Sequence, residues 1–491
     1  MNTQFPIKQF RLEHGYSFDH PLKCPEFAKD NILIGGTPED SSLEALFLGK
    51  LGEYDNMRAN VWLDLTGAHA IYIMGKRRSG KTFTLGAIAE GLASSQWIKQ
   101  GTQKQAVLLL DTMNVFLTMP NTVEEVFGKN SRECKELKQW GLESEHLPVK
   151  LFYPKGSPRP PEGLSEELTL RACDLTGEDW AALFGVDTFS DPIGQLLAEL
   201  YDWVFIEGYQ TSKGEIVQAN SNYHISDLLL CLTNNPEIQR YEFKTIEAVR
   251  RYLKAVDRLP IFSETGINIQ KLFKEGQIST VLLGDLDHNL RGLMVGIIVK
   301  KIMEYRSISD RFERLADLYM SKSLALKVEN PEEAKKILKK YEEYAEQAKS
   351  GLPRGWIIID EAHNYLPAKG IITSRAPLKK YVNEGRNLGL SIVVATQQPS
   401  GLDPAIQRNA DILIIHSMSM TDDIQTAEHM VNTSVPESII YDNHDRITSR
   451  VFEKMIRSLD LGFAIVSNDR IDRVFPIKIR PRITIHGGRK Y

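Results

Sequence analysis

The residues Gly75-Lys76-Arg77-Arg78-Ser79-Gly80-Lys81-Thr82 have the types and spacing of a phosphate cradle, matching G-x-x-x-x-G-K-S/T. The glycines let the backbone close around an anion and aim successive N–H groups at phosphate oxygens. The stretch from Lys81 to Leu92 has helical character, so the loop ends on a helix N-terminus, whose free N–H groups and partial positive charge favour an anion. A lysine at position 81 reaches the β- and γ-phosphates, and the Thr82 hydroxyl completes a magnesium shell. The expected ligands are ATP and Mg2+, bound along the loop as far as Phe83.

A second group carries the complementary chemistry. Ile357-Ile358-Ile359-Asp360-Glu361 is an apolar run that ends in two carboxylates. Asp360 is placed to hold magnesium through water beside Thr82, and Glu361 to orient or deprotonate the attacking water. An ordinary strand can also end in a solvated acidic pair, but the phosphate loop upstream on the same expected sheet favours the catalytic reading. The eleven histidines show no H-E-x-x-H spacing, so no metal beyond the nucleotide's magnesium is expected. With no G-x-S-x-G or Cys/His nucleophile pattern, no hydrolase chemistry beyond ATP is expected.

The elements that must position these residues read as strand, helix, strand. Ile71–Met74 is a short buried strand, the helix follows the loop, and Gln105–Asp111 is a second strand. This order predicts a right-handed βαβ unit and a mainly parallel sheet, the α/β architecture of a RecA-like P-loop core. Further strands are expected at Thr280–Asp285, Trp356–Ile359, Leu390–Ala395, Ile412–Ile415 and Phe463–Val466, with closing strands over Arg473–Ile485. Residues 1–69 read as a small β-rich module, with strands at Ile32–Gly36 and Val61–Leu65 and turns at Gly35-Gly36 and Thr37-Pro38. The core then occupies 70–120 and 276–491, split by a mainly helical insertion at 121–275. The mixed charges of about 306–350 read as a solvated helical hairpin with pairs such as Glu332–Lys336, or alternatively as a nucleic-acid-contacting arm; the alternating signs favour the hairpin.

Composition bounds the rest. The chain has 491 residues, 42% hydrophobic and 25% charged, which suits a globular protein of two or three units. Its formal charge of −4 lowers slightly the expectation of a DNA-coating protein but leaves room for a ring with a basic pore. Cys24, Cys134, Cys173 and Cys231 form no C-x-x-C pair, so reduced thiols are expected. Neither a signal peptide nor an apolar run long enough for a bilayer is visible, and a cytoplasmic protein with no membrane partner is expected.

Three further segments resemble one family. Asp360-Glu361-Ala362-His363-Asn364-Tyr365-Leu366-Pro367 looks like the Walker B segment of the HerA group in the HerA/FtsK superfamily of ring ATPases. Glu384-Gly385-Arg386-Asn387-Leu388-Gly389 resembles the family's E-G-R-x-x-G, and the segment from Ala395-Thr396-Gln397 through Pro404 resembles its A-T-Q-x-P-S-x-L-D-P. The similarity runs over about 60–120 and 280–486. It implies that Arg386 enters a neighbouring subunit's ATP site, that Gln397 senses the γ-phosphate, and that Asp111 is the acid ending the strand after the P-loop helix. The family often has Glu where this chain has Val115, and the loop's Arg77-Arg78-Ser79 is more basic than the family's usual T-G-S.

The resemblance also implies a homo-hexameric translocase of double-stranded DNA that works beside a nuclease, in end resection or anti-phage defence. The family's N-terminal barrel docks partners and is shortened here, which points to the defence-associated branch. A different class of function stays open: a scaffold or switch subunit whose ATP state controls a separate effector. His363 reads either as a coupler of nucleotide state or as a hydrogen-bonded structural residue. Arg375, Lys379, Lys380 and Arg408 read either as a pore lining or as solvated surface.

Overall fold

The computed structural model describes residues 30–36, 44–52, 59–94, 104–160, 165–431, 448–468 and 473–488. Cys24 and the Thr37-Pro38 turn lie outside these residues, as do residues 1–29 of the expected β-rich module. The strands are β1 (Asp30–Ile34), β2 (Ala45–Leu51), β3 (Ala59–Asp64), β4 (Ala70–Met74), β5 (Ala106–Asp111), β6 (Val149–Pro154) and β7 (Ser165–Leu168). They continue as β8 (Tyr209–Gln210), β9 (Ile216–Val217), β10 (Ile278–Leu282), β11 (Gly355–Ile359), β12 (Leu390–Thr396), β13 (Ile412–Ile415), β14 (Phe463–Asn468) and β15 (Arg473–Ile479). All except the β8–β9 hairpin join one sheet in the order β1-β3-β2-β15-β14-β13-β4-β12-β11-β5-β10-β6-β7.

The run from β13 to β7 is parallel throughout. Its central strands β4, β5, β11, β12 and β13 are buried along their whole length, as strands covered on both faces must be. Residue alternation sorts two cores. Tyr72, Leu108, Leu110, Ile357 and Ile359 face one side, with Leu293, Val295 and Ile298 of the helix His288–Leu326. Ile71, Ile73, Leu109 and Ile358 face the other, with Leu85, Ala87 and Ile88 of the P-loop helix Lys81–Gly91.

The order has a consequence for chemistry. β12 and β11 lie between β4 and β5, so the P-loop helix crosses over two strands before the chain returns to the sheet. The residue that ends β12 therefore stands between the P-loop and the acids that end β11.

Beyond the core, the described strands of the N-terminal module are continuous with the central sheet: β2 pairs antiparallel with β15, which pairs with β14, which pairs with β13. Within 121–275 the helices are accompanied by β6 and β7, which extend the parallel sheet's far edge. The expected hairpin begins inside the core, because the 39-residue helix His288–Leu326 runs unbroken from buried Leu290 into the arm and is answered by Pro331–Ala348. Its ion pairs include Glu332–Lys335 and Glu333–Lys336 at 3.4 and 3.9 Å, one residue closer than the expected Glu332–Lys336, and Asp310–Arg314 at 2.7 Å with the i,i+4 spacing. No helix among the described residues is long and apolar enough to cross a membrane.

Candidate nucleotide site

The P-loop leaves β4 and turns into its helix at Gly80, whose φ of 113° is a conformation that a side chain would resist. Gly75 answers to space instead: a Cβ there would sit 2.5 Å from Ser79 Oγ and 2.7 Å from His416 Cβ. Lys81 is buried, and its ammonium donates to the Lys76 carbonyl at 3.0 Å. Burial depresses its pKa, opposed by the charges of Glu361 and Asp360.

Thr82 Oγ1 donates to Asp360 Oδ2 at 2.9 Å. A hydroxyl and a carboxylate oxygen at that separation are hard donors of the kind Mg2+ takes when a nucleotide supplies the rest of its shell. Among the described residues no cluster of three His, Cys, Asp or Glu side chains could hold a metal alone, so a magnesium ion here needs the phosphates as well. Burial, then the neighbouring Glu361 charge, pushes Asp360 up to about 6. Asp111 is pushed up to about 7 by burial, against the backbone N–H groups of Phe116, Val115 and Met113 that donate to it. Val115, where the family often has Glu, thus reaches Asp111 through its main chain.

Glu361 has a left-handed backbone, φ 49°, fixed by the turn in which Asn364 N donates to its carbonyl at 3.0 Å. Gln397 Nε2 donates to its Oε1 at 2.6 Å, while Oε2 is buried without a hydrogen-bond partner. Ser79 Oγ, in the loop itself, is likewise unpartnered. Such orphaned atoms are costly in a finished core and fit a pocket whose remaining donors and acceptors come with a ligand. His363 binds Thr396 Oγ1 at 3.0 Å and stands 3.5 Å from Glu361 Oε2.

The chain can now be set beside known proteins. No family model matches it. A stretch of 176 residues, 34% of this chain, is 26% identical to the DNA double-strand break repair helicase HerA of Pyrococcus furiosus, and covers 28% of that helicase's length. VirB4 of Thermoanaerobacter pseudethanolicus shares the fold with a TM-score of 0.50 at 12% identity, over 89% of this chain and 96% of that one. The chain is thus similar to the HerA helicase over about a third of its own length, and it shares the fold of VirB4.

One expected site residue stands apart from the others. Lys81, Asp111, Asp360, Glu361 and Gln397 all follow the C-terminal ends of parallel strands. Arg386 precedes β12, whereas Gln397 follows it, so the length of a seven-residue strand, roughly 20 Å, separates Arg386 from its own protomer's P-loop. There it pairs with Asp411 at 3.2 Å, and its side chain is 48% exposed.

The basic residues considered as a pore lining divide. Arg375 is tied to Asp403 and to the carbonyls of Ala368 and Gly370, so it is a structural residue of this segment. Lys379, Lys380 and Arg408 are exposed.

Two buried groups escape sequence reasoning. His416, at the end of β13, binds Thr84 Oγ1 of the P-loop helix and the Phe463 carbonyl, both at 3.0 Å, and burial pulls it down to about 4. Glu90, on the same helix, accepts from Arg480 at 2.9 Å, Arg482 at 2.6 Å and the backbone of Ile483 and Thr484. Gly86 admits this contact, because a Cβ there would lie 1.8 Å from Arg482 Nη1. Both pairings join residues hundreds of positions apart. The available signals were one acid within an apolar helix and two arginines within an apolar tail.

Proposed function

We propose that this ATPase hydrolyses ATP to drive double-stranded DNA through a homo-hexameric ring, with each active site shared by two neighbouring subunits. The observation that carries the proposal is the division of the site: the P-loop, Asp360, Glu361 and Gln397 lie at one end of the sheet, and Arg386 lies half-exposed at the other. A group that cannot reach its own P-loop is suited to a neighbour's. The name of the Pyrococcus relative, a DNA double-strand break repair helicase, supports DNA as the cargo.

In this reading Gly75, Lys76, Arg77, Arg78, Ser79, Gly80, Lys81, Thr82 and Phe83 hold the nucleotide. Thr82 and Asp360 hold Mg2+, which would neutralise charge on the β- and γ-phosphates. Glu361, oriented by Gln397, takes a proton from water as its oxygen bonds the γ-phosphorus. The bond to the bridging oxygen breaks, and ADP leaves. Lys81 and the neighbour's Arg386 counter the charge that spreads onto the transferring group. Magnesium, the hexamer, a cytoplasmic location, and a separate effector, a nuclease docked on the N-terminal residues in DNA processing or anti-phage defence, complete the proposal.

The test is DNA stimulation. Double-stranded DNA should raise the ATPase rate, with a steep salt dependence and little sequence preference. Lys379→Ala with Lys380→Ala should reduce the stimulation and leave the basal rate nearly intact. A rate indifferent to DNA that responds to a co-purified effector instead would replace the motor with a switch. Removing residues 1–30 should abolish effector co-purification while the ring and its ATPase survive; loss of the ring would show that the segment braces subunits.

A further inference from the structure

The Arg386 side chain is the outermost of four side chains in a row. Its Nη2 lies 3.2 Å from Asp411 Oδ1 and 3.5 Å from the Asn409 carbonyl. Asp411 Oδ1 also accepts from the Ala70 backbone at 2.8 Å, and its Oδ2 meets His69 Nδ1 at 2.7 Å. His69, with no side-chain exposure, sits between Asp411 and Asp64, whose Oδ2 is 3.4 Å from Nε2. Asp64 is fixed in turn by the backbone N–H groups of Thr66 and Gly67.

The row is rigid at its inner end. Gly36 admits Asp64, since a Cβ there would come within 2.7 Å of Asp64 Cγ, and Gly35 admits His69 by the same argument, at 2.7 Å from Cε1. The main chain of His69 is stitched to the start of β12, because its N–H donates to Ser391 Oγ and its carbonyl accepts from Ile392 N. The turn that carries Arg386 is held independently by the middle of the long helix: buried Arg306 donates to the Leu388 carbonyl at 2.7 Å, and Arg314 to that of Asn387 at 3.1 Å. Backbone and carboxylate are thus both fixed, and only the guanidinium faces outward.

We propose that Asp411, held by His69, is the positioning residue of Arg386, aiming its free N–H groups at the phosphate site of the adjoining subunit. The electrostatics agree. Burial would raise Asp411, but His69, the Ala70 N–H and Arg386 hold it below its usual value, so it stays an anion beside the guanidinium. A carboxylate that holds one terminal nitrogen of the planar guanidinium, here Nη2, leaves the other N–H groups to meet a second anion. A finger must arrive in one orientation, and a misplacement of about 1 Å costs on the order of 10²-fold in rate.

The proposal rests on the shared-site reading, and the experiment separates the two. Asp411→Asn should lower kcat by roughly 10–100-fold with KM for ATP unchanged, and should have no further effect in an Arg386→Ala background. Rings mixed from Asp411→Asn and Glu361→Gln subunits should regain activity, as rings mixed from Arg386→Ala and Glu361→Gln should, because an Asp411→Asn subunit keeps an intact P-loop end that a neighbour's Arg386 can serve. Asp411→Glu, which keeps the charge facing His69, should show the same pattern and serves if the amide variant does not fold. An undiminished or raised kcat, an additive double variant, or failure to regain activity in mixed rings would overturn the positioning role. An unaffected Arg386→Ala would instead remove the shared site itself.

Discussion

The two ends of the sheet handle buried charge in opposite ways. At the P-loop end the charges are incompletely neutralised: Asp111 and Asp360 are pushed up to about 7 and about 6, Lys81 is pulled down, and Glu361 Oε2 accepts no hydrogen bond although His363 stands 3.5 Å away. At the Arg386 end the acids are answered by partners. Asp64 and Asp411 lie below their usual range despite burial, and His69 is raised between them although burial alone would lower it. An unanswered buried charge weakens a fold unless something arrives to meet it. The first end therefore suits a charged ligand, whereas at the second the carboxylates are met by the protein's own groups, although His69 Nε2 approaches Asp64 at 3.4 Å without a hydrogen bond. Glu90 resembles the second end: burial would raise it, but Arg482 and Arg480 hold it down.

The hardest test of this contrast is the group that must act across two subunits. Arg386→Ala should bind ATP normally and lose about 10³–10⁵ in turnover. Mixing it with Glu361→Gln subunits should restore part of the rate, since some interfaces then contain both intact groups; well-mixed rings that stay inactive would confine the site to one protomer. Next in size is Glu361→Gln, expected to keep ATP binding and lose about 10²–10⁴ in kcat, because Thr82 and Asp360 are untouched. A wild-type rate in that variant would move the water-activating role elsewhere. Lys81→Ala, by contrast, should lose nucleotide binding itself.

Glu90→Gln probes the answered kind of charge. It leaves Arg480 and Arg482 facing a neutral amide in a site with no exposure. Removing one partner from a buried ion pair costs about 3–5 kcal/mol, so the midpoint of chemical denaturation should fall clearly. Retention of full stability would mean that the tail is held by its apolar contacts alone.

Legibility in the sequence follows the same division. β4, β5, β11, β12 and β13 are unbroken apolar runs with chemical residues at their ends, because parallel strands buried on both faces leave no room for polar alternation. The placing of Asp360 beside Thr82 was legible from the motifs for that reason, whereas Gln397 came only through the family resemblance and its bond to Glu361 only from the structure. β7, Ser165-Glu166-Glu167-Leu168, has no apolar pattern because it is the sheet's edge and its acids face solvent or pair with Lys150 and Lys271. The joining of β2 to β15 and the contact of His69 with Asp411 bring together residues hundreds of positions apart, and no local period encodes either. The expected hairpin captured only the charged outer half of the helix His288–Leu326, because its inner half is apolar, although no residue breaks it.

The smallest effect is a proton. Asp360 and Asp111 have folded-state pKa values of about 6 and about 7, above the ordinary carboxylate value of 3.8. The folded protein therefore holds protons that the unfolded chain releases. That contribution to stability is fully present below about pH 4 and is lost as the pH rises through 6 and 7. A divalent cation beside Asp360 reverses the preference, because it favours the carboxylate, so binding of Mg2+ with ATP should expel a fraction of a proton from Asp360 near pH 6.5. Calorimetric titrations there, in buffers of different ionisation enthalpy, should give binding enthalpies that differ in proportion, and the difference should fade by pH 8.5. The rise in Tm on adding Mg2+ and ATP should also be larger at pH 8 than at pH 5.5, where the acids are already neutralised by protons. Asp360→Asn should diminish the buffer dependence, whereas Asp411→Asn, at the end where partners already meet the charge, should leave it alone. A binding enthalpy independent of buffer would show that the acids at the P-loop end are already ionised before the nucleotide arrives, and the contrast between the two ends would then be one of geometry and not of charge.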